Sequence, residues 1–202
     1  MNTSSGYLGR ILAEEGLRRG YDIHHFHGPF SQLPQSDGSM SGTLQLEKIS
    51  WLEELLPSLR SAGEHIHPVV VFHAMAVLDY VPEMSAKGKQ PSGTSWTLDL
   101  KPTPKVIDLI PDIFPGSKLI GFKLETRISR EKLIERASEL ARRTNAELVV
   151  ANLLEWVDGD SYECILVDRD NTIIESIRGR MQLAEFLWDV IETTRSGVDE
   201  NR

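Results

Sequence analysis

The sequence predicts an α/β fold: a three-layer, Rossmann-like and mostly parallel sheet with helices on both faces and an antiparallel hairpin at one edge. Three observations predict it. Apolar, β-branched runs such as Val69–Phe72 and Leu148–Ala151 are typical of buried parallel strands. Stretches with helical spacing alternate with these runs, as they do in βαβ units. The turn residues Asp168–Asn171 separate two alternating segments, which indicates the hairpin.

Composition predicts one globular domain over residues 1–195 and a disordered tail over 196–202. The chain has 202 residues, 40% hydrophobic and 26% charged, and a net charge of −8. Such an acidic chain is a poor nucleic-acid binder, and no apolar run reaches the ~20 residues of a membrane span. The polar start has no signal-peptide pattern, so we expect a cytoplasmic protein. Cys164, the single cysteine, excludes an internal disulfide and a cysteine-based zinc cluster, and we expect it in the core.

The first half of the chain predicts two helices and two strands. In order they are a serine- or threonine-capped helix Ser5–Arg19, a strand Tyr21–His27, a loop over 28–43, a helix Leu44–Arg60 and a strand that starts at Pro68. His24, His25 and His27 resemble a metal cluster. However, neighbours on a strand point to opposite faces, so we expect a surface strand end and no metal site.

The second half continues the alternation. Its predicted elements are a strand Trp96–Leu100, a helix with Pro104 in its first turn, a strand Lys118–Thr126, a helix from Ser129 to Thr144, a strand Glu147–Asn152, the hairpin Tyr162–Val167 and Thr172–Ile177, and a closing helix Met181–Thr193. This order predicts right-handed crossovers and a single sheet.

Polar segments converge where the predicted strands end, which is where open α/β sheets bind ligands. They are the helix start Asn2–Gly9, the loop Asp79–Gly93, the turn Pro104–Ile107, the end of the strand Gly121–Thr126 and, more weakly, Ala151–Asn152. Amides and lysines suit phosphates and an acid suits a ribose or base, so the set suits a nucleotide. Taken singly, Asp79 is also a plausible cap, the loop lysines plausible solvated residues, and Phe122 a plausible core residue.

Six segments in this order resemble the phosphopantothenate–cysteine ligase family, in its stand-alone form. They are NTSSGYLG, HAMAVLDYVPE, KGKQPSG, TPKVIDLI, IGFKLET and VVANLLE. The resemblance implies a reaction that joins 4′-phosphopantothenate to L-cysteine in coenzyme A biosynthesis. A nucleoside triphosphate, CTP or ATP with Mg²⁺, would activate the carboxylate as an acyl nucleotide. The resemblance also makes a homodimer the expected assembly.

The resemblance assigns roles residue by residue. Asn2 matches the asparagine that assists conversion of the acyl nucleotide, and Lys87 or Lys89 matches a catalytic lysine facing the reacting phosphate. The positions that match nucleotide contacts are His73, Ala74 and Met75 through their backbone, Asp79, Pro104, Lys105, Val106, Ile107 and Phe122, with Arg142 and Arg143 where the family has lysines. No dedicated metal site is expected.

The family pattern normally begins with a strand and a glycine-rich T-S-G-G-T turn before the N-x-S-x-G block. This sequence starts at the block, so we expect a sheet without that first, central strand. Two hypotheses follow. The sequence is a fragment or late start of an active ligase, or it is a truncated, non-catalytic paralogue that binds a nucleotide or oligomerises.

Overall fold

The computed structural model describes residues 4–36, 38, 40–83, 88, 93, 95–159 and 161–199, with side chains up to residue 193. The helices, α1 to α5, are Tyr7–Arg18, Leu52–Gly63, Val106–Ile113, Arg130–Thr144 and Arg180–Asp199. The strands, β1 to β10, are Ile23–His27, Leu44–Lys48, Val70–His73, Tyr80–Pro82, Leu100–Pro102, Lys118–Glu125, Leu148–Leu153, Val157–Asp158, Ser161–Val167 and Ile173–Arg178.

The main sheet is mixed and has the order β10-β9-β7-β6-β3, with the short β8 paired to β9. Strands β3, β6 and β7 are parallel, with His73 beside Gly121 and Gly121 beside Val149. Strand β9 is antiparallel to both β7 and β10. The predicted antiparallel hairpin at one edge is therefore confirmed.

Helices cover both faces of this sheet, as predicted. Along β7, Val149 and Ala151 pack in one core with α2, α3 and α4, whereas Leu148 and Val150 pack in a second core with α1 and α5. This alternation is the period of two that a strand buried on both faces requires. Cys164 is fully buried in the second core, and burial raises the pKa of its thiol to about 12. The prediction of a core cysteine is confirmed.

Strands β1 and β2 form a separate parallel pair and do not hydrogen-bond to the main sheet. The indole of Trp188 on α5 lies between the two sheets. Its ring centroid is 4.5 Å from Tyr21 and 5.3 Å from Phe72, and its Nε1 donates to the Leu12 carbonyl over 2.9 Å. The division of the strands into two sheets agrees with the expectation of a sheet without the family's first strand.

Helix α1 begins differently from the prediction. Gly6, not a serine or threonine, is the N-cap residue, and it has φ 71° with no side-chain cap. A Cβ at this position would lie 2.7 Å from the Cβ of Ser31. The close approach and the left-handed backbone both require glycine.

The predicted helix Leu44–Arg60 is wrong. Its first residues form β2, and α2 begins only after Trp51, where the Glu54 carboxylate accepts hydrogen bonds from the Ser50 and Trp51 amides over 2.8 and 3.2 Å. Leucines alternate with polar residues over Leu44–Lys48, which is strand periodicity. The leucines after Trp51 extend the apparent helical spacing backwards and hide the boundary.

The segment after β3 forms an isolated two-stranded antiparallel unit. Tyr80–Pro82 pairs with Leu100–Pro102, whereas residues 95–99 of the predicted strand Trp96–Leu100 have no regular structure. We call the described residues 78–83 and 95–103 the arm. At the other end of the chain, α5 continues to Asp199, into the segment for which a disordered tail is predicted, and residues 200–202 lie outside the described part. Among the described helices, none is long and apolar enough to cross a bilayer.

Candidate functional site

The candidate site starts where β3 ends. His73 pairs with Gly121, halfway along β6, so the chain leaves the sheet several residues before its neighbour does. From this point the predicted contact residues divide between the two faces. Ala74 and Phe122 pack against the α1–α5 core, whereas Met75 packs against the core on the other face. The residues after β3 therefore cross the edge of the sheet, and the floor of the site has apolar surface on both sides.

Two of the predicted nucleotide contacts meet in an ion pair. The Lys105 ammonium donates to the carboxylate of Asp79, and both side chains are more than half exposed. The backbone joins the same two segments, because the Thr103 amide donates to the Asp79 carbonyl over 2.9 Å and its hydroxyl donates to the Leu78 carbonyl. Asp79 enters the arm and Lys105 leaves it, so these contacts close the base of the arm.

Sequence reasoning did not identify Thr103 as a contributor to this geometry. Its only signal was its place between two prolines, Pro102 and Pro104, which cannot donate backbone hydrogen bonds. The threonine amide and hydroxyl are the donors that remain in this short stretch for joining the two ends of the arm.

The start of α3 forms one wall of the site. Lys105 is the N-cap residue and makes no side-chain cap bond, so its cation is available to the ion pair with Asp79. Val106 and Ile107 are 3% and 9% exposed and belong to the core. Their side chains are structural, so a ligand would meet this turn through Pro104, Lys105 and the first backbone amides of the helix.

His73 is buried below this wall. It is 9% exposed, and its Nε2 has no hydrogen-bond partner among the described residues. Burial lowers the pKa of the imidazole, a shift opposed by a hydrogen bond to its own backbone and by the charge of Asp108 on α3. The ring is therefore neutral near pH 7 and does not act as a cation toward a phosphate.

The two predicted arginines on α4 diverge. Arg143 pairs with Asp108 in the first turn of α3, next to the wall of the site. Arg142 instead donates to the Ser138 hydroxyl and to the Arg169 carbonyl, over 2.9 and 2.8 Å. Arg169 lies in the β9–β10 turn, which is at the end of the sheet opposite to the carboxyl ends of β6 and β7. The structure brings Arg143 toward the site and does not bring Arg142 there.

The polar end of β6 is occupied by ion pairs within the chain. Glu125 accepts from Lys123 over 3.1 Å and from Arg136 over 2.8 Å. Burial opposes the effect, but these hydrogen bonds and charges lower the pKa of Glu125, which stays ionised. This part of the convergence holds α4 against β6. Arg136, on the polar surface of a helix, carried no sequence signal for that role.

The three predicted catalytic residues, Asn2, Lys87 and Lys89, lie outside the described residues. What the described part brings together is the residues after β3, the Asp79–Lys105 ion pair and the start of α3. This set presents one exposed anion, one exposed cation, the first amides of a helix and a small-residue floor. Its chemistry suits a ligand with negative charge, polar hydroxyls and a flat apolar part.

A family model described as the DNA/pantothenate metabolism flavoprotein C-terminal domain matches residues 1–194. The chain is similar to the coenzyme A biosynthesis bifunctional protein CoaBC of Thermococcus kodakarensis, at 35% identity over 95% of this chain and 46% of that protein. It is similar to the CoaBC of Methanocaldococcus jannaschii at 27% identity over 80% of this chain and 38% of that protein. The chain thus spans less than half the length of these relatives.

Solved structures resemble the fold. The DNA/pantothenate metabolism flavoprotein from Streptococcus pneumoniae superposes with a TM-score of 0.82 at 26% identity, over 96% of this chain and 90% of that one. A Cab2 variant in complex with phosphopantothenate-cysteine superposes with a TM-score of 0.78, over 98% of this chain and 81% of that one. The second likeness, at 20% identity, concerns the fold alone.

Proposed function

Because the chain belongs to the family of the DNA/pantothenate metabolism flavoprotein C-terminal domain, we propose that it is a phosphopantothenate–cysteine ligase of coenzyme A biosynthesis. The observation that carries the proposal is the family match over residues 1–194, together with the Asp79–Lys105 pair where the family pattern has nucleotide contacts. The Cab2 variant that shares this fold forms a complex with phosphopantothenate-cysteine, which is the product of such a reaction.

The reaction has two balanced steps. A carboxylate oxygen of 4′-phosphopantothenate attacks the α-phosphorus of CTP or ATP, and pyrophosphate leaves. The cysteine amine then attacks the acyl carbon, loses a proton, and displaces the nucleoside monophosphate. Both steps build negative charge on oxygen, which positioned cations and amide donors stabilise.

The chain's own residues would act as follows. Asp79 contacts the nucleotide, and Lys105 exchanges its carboxylate partner for a phosphate oxygen when the nucleotide binds. Lys87 or Lys89 faces the α-phosphate, and the Asn2 carboxamide donates to the acyl oxygen. His73, Ala74, Met75 and Phe122 form the floor, and Arg143 supports the α3 wall through Asp108.

Mg²⁺ would enter with the triphosphate, whose oxygens are the hard ligands it prefers. No group of three potential ligands occurs among the described side chains. The two nearest carboxylates, Asp79 and Asp108, are each paired with a cation. We therefore propose that phosphate oxygens, and no dedicated protein cage, hold the ion. We further propose a cytoplasmic homodimer as the working form.

The test is pyrophosphate release. With Mg²⁺ and CTP or ATP, 4′-phosphopantothenate alone should release up to one equivalent per site, and adding L-cysteine should give continuous turnover. Pantothenate without its phosphate serves as the substrate control. Absence of pyrophosphate with either nucleotide contradicts the ligase. Nucleotide binding without turnover supports the alternative, a non-catalytic module of the same family.

A further inference from the structure

The arm is an unusual part of this molecule because it exposes large apolar side chains. Five of them are 44–59% exposed: Leu78, Tyr80, Trp96, Leu98 and Leu100. Soluble domains rarely expose contiguous apolar surface of this kind unless something binds it. Strands β4 and β5 pair with each other, and no described strand pairs with their outer edges.

A two-stranded unit of this size is not stable on its own. Isolated antiparallel pairs are marginal in water and need further strands or a packed face. Within the described residues, the arm is held mainly at its base, by the Asp79–Lys105 ion pair and the hydrogen bonds of Thr103. Free edges and exposed aromatic residues therefore call for a cover that the described chain does not supply.

The charge of the arm region favours a second copy of this chain as that cover. The segment from Asp79 to Lys105 contains three carboxylates and four lysines, so its net charge is +1, whereas the whole chain carries −8. Two arms can meet with little repulsion, but most other surfaces of two such acidic chains repel each other. A two-fold contact of this kind places the same patch on both sides, which is the commonest symmetry of homo-oligomers.

We propose that the arm is the self-association surface of this protein, and that association is coupled to nucleotide binding at the base of the arm. Packing two arms together fixes the position of β4 and β5, and with them Asp79 and Lys105. The coupling is reciprocal: a nucleotide that binds these two residues tightens the dimer by the factor by which the dimer tightens nucleotide binding. Only this coupling rests on the proposed function.

The first experiment measures mass in solution without nucleotide. Sedimentation equilibrium of the full chain, from about 0.1 to 100 µM, should show a dimer that dissociates on dilution. Tyr80→Ser combined with Trp96→Ser should weaken the dimer by at least about tenfold. Phe30→Ser combined with Trp51→Ser is the matched control, because these side chains are 94% and 71% exposed outside the arm, and it should leave the dimer unchanged.

The second experiment repeats the dilution with Mg²⁺ and CTP or ATP. The nucleotide that binds should tighten the wild-type dimer and have no such effect on Asp79→Asn. A monomer at all concentrations, or arm variants that dimerise like the wild type, overturns the proposed surface. A nucleotide that binds without changing dimer affinity overturns the coupling. A dimer without ligase turnover contradicts only the proposed function, so the failures are distinguishable. Circular dichroism of each variant checks the fold.

Discussion

Asp79→Asn separates the contribution of the Asp79–Lys105 ion pair to stability from its contribution to ligand binding. The two side chains are 65% and 56% exposed. Ion pairs at such exposure contribute about 0–1 kcal/mol to folding, because water competes for both charges and salt screens them. The asparagine keeps the shape of the side chain, and the Asp79 carbonyl still accepts from the Thr103 amide. We therefore expect the melting temperature to fall by less than about 4 °C.

The expected effect on the nucleotide is larger. A hydrogen bond from a ligand hydroxyl or amine to a charged carboxylate contributes about 1.5–3 kcal/mol. Its loss corresponds to a rise of about 10- to 150-fold in the Kd or KM for CTP or ATP. Isothermal titration with the nucleotide, followed by pyrophosphate release at saturating phosphopantothenate and cysteine, measures both quantities. KM should rise for the nucleotide and stay unchanged for cysteine.

The matched control is Glu163→Gln. Glu163 forms an exposed ion pair with Arg178 over 3.2 Å on the β9–β10 hairpin, away from the base of the arm. It should have the same small effect on stability and no effect on nucleotide affinity. If Asp79→Asn binds the nucleotide within twofold of the wild type while remaining folded, the assignment of Asp79 as a nucleotide contact is refuted.

Three further predictions use other parts of the molecule. Lys87→Ala and Lys89→Ala are expected to show which lysine faces the α-phosphate, because the functional one should cut turnover at least tenfold, about 1.4 kcal/mol of barrier, and wild-type rates from both would remove the loop from the mechanism. Gly16→Ala places a Cβ 2.4 Å from the buried indole of α5; overpacking outweighs the gain in helix propensity, and urea unfolding should show about 1–2 kcal/mol of lost stability, whereas an unchanged midpoint contradicts the packing. Burial lowers the pKa of His73 in the folded state, so its contribution is complete above the unfolded pKa and is lost as the pH falls through about 6.5; urea midpoints from pH 7.5 to 5 should fall with a slope of at most about 1.4 kcal/mol per pH unit for this proton, and His73→Gln should remove that part of the slope.

Periodicity predicted the buried strands well because their burial leaves a direct trace in the sequence. The runs in β6 and β7 are apolar on both faces, and the hairpin alternates around turn residues, so the predicted ranges differ from the observed ones by about one residue at most ends. The segment Leu44–Arg60 failed because two leucines of a half-exposed strand continue the spacing of a following helix. Neither pattern excludes the other locally, and only the pairing of β2 with β1 decides.

The site was predictable only as a set. The meeting of Asp79 and Lys105 followed from two segments that the family resemblance placed at one ligand, and the structure puts them in contact. The opposite orientations of Arg142 and Arg143 were not predictable, because two neighbours on a helix differ by about 100° in direction. The contact of each depends on packing against α3 and against the β9–β10 turn, which the sequence does not encode locally.

The base of the arm links the proposed activity to the proposed assembly. An exposed ion pair adds too little stability to hold an apolar, two-stranded unit away from the core, and the hydrogen bonds of Thr103 fix only its last residues. The arm therefore needs a partner to stay in place, and the residues at its base need the arm in place to meet a ligand. If both hold, dilution below the dimer dissociation constant should lower the specific ligase activity, and nucleotide should restore it. Constant specific activity across the measured dissociation would separate the two proposals and leave the arm without a role in the site.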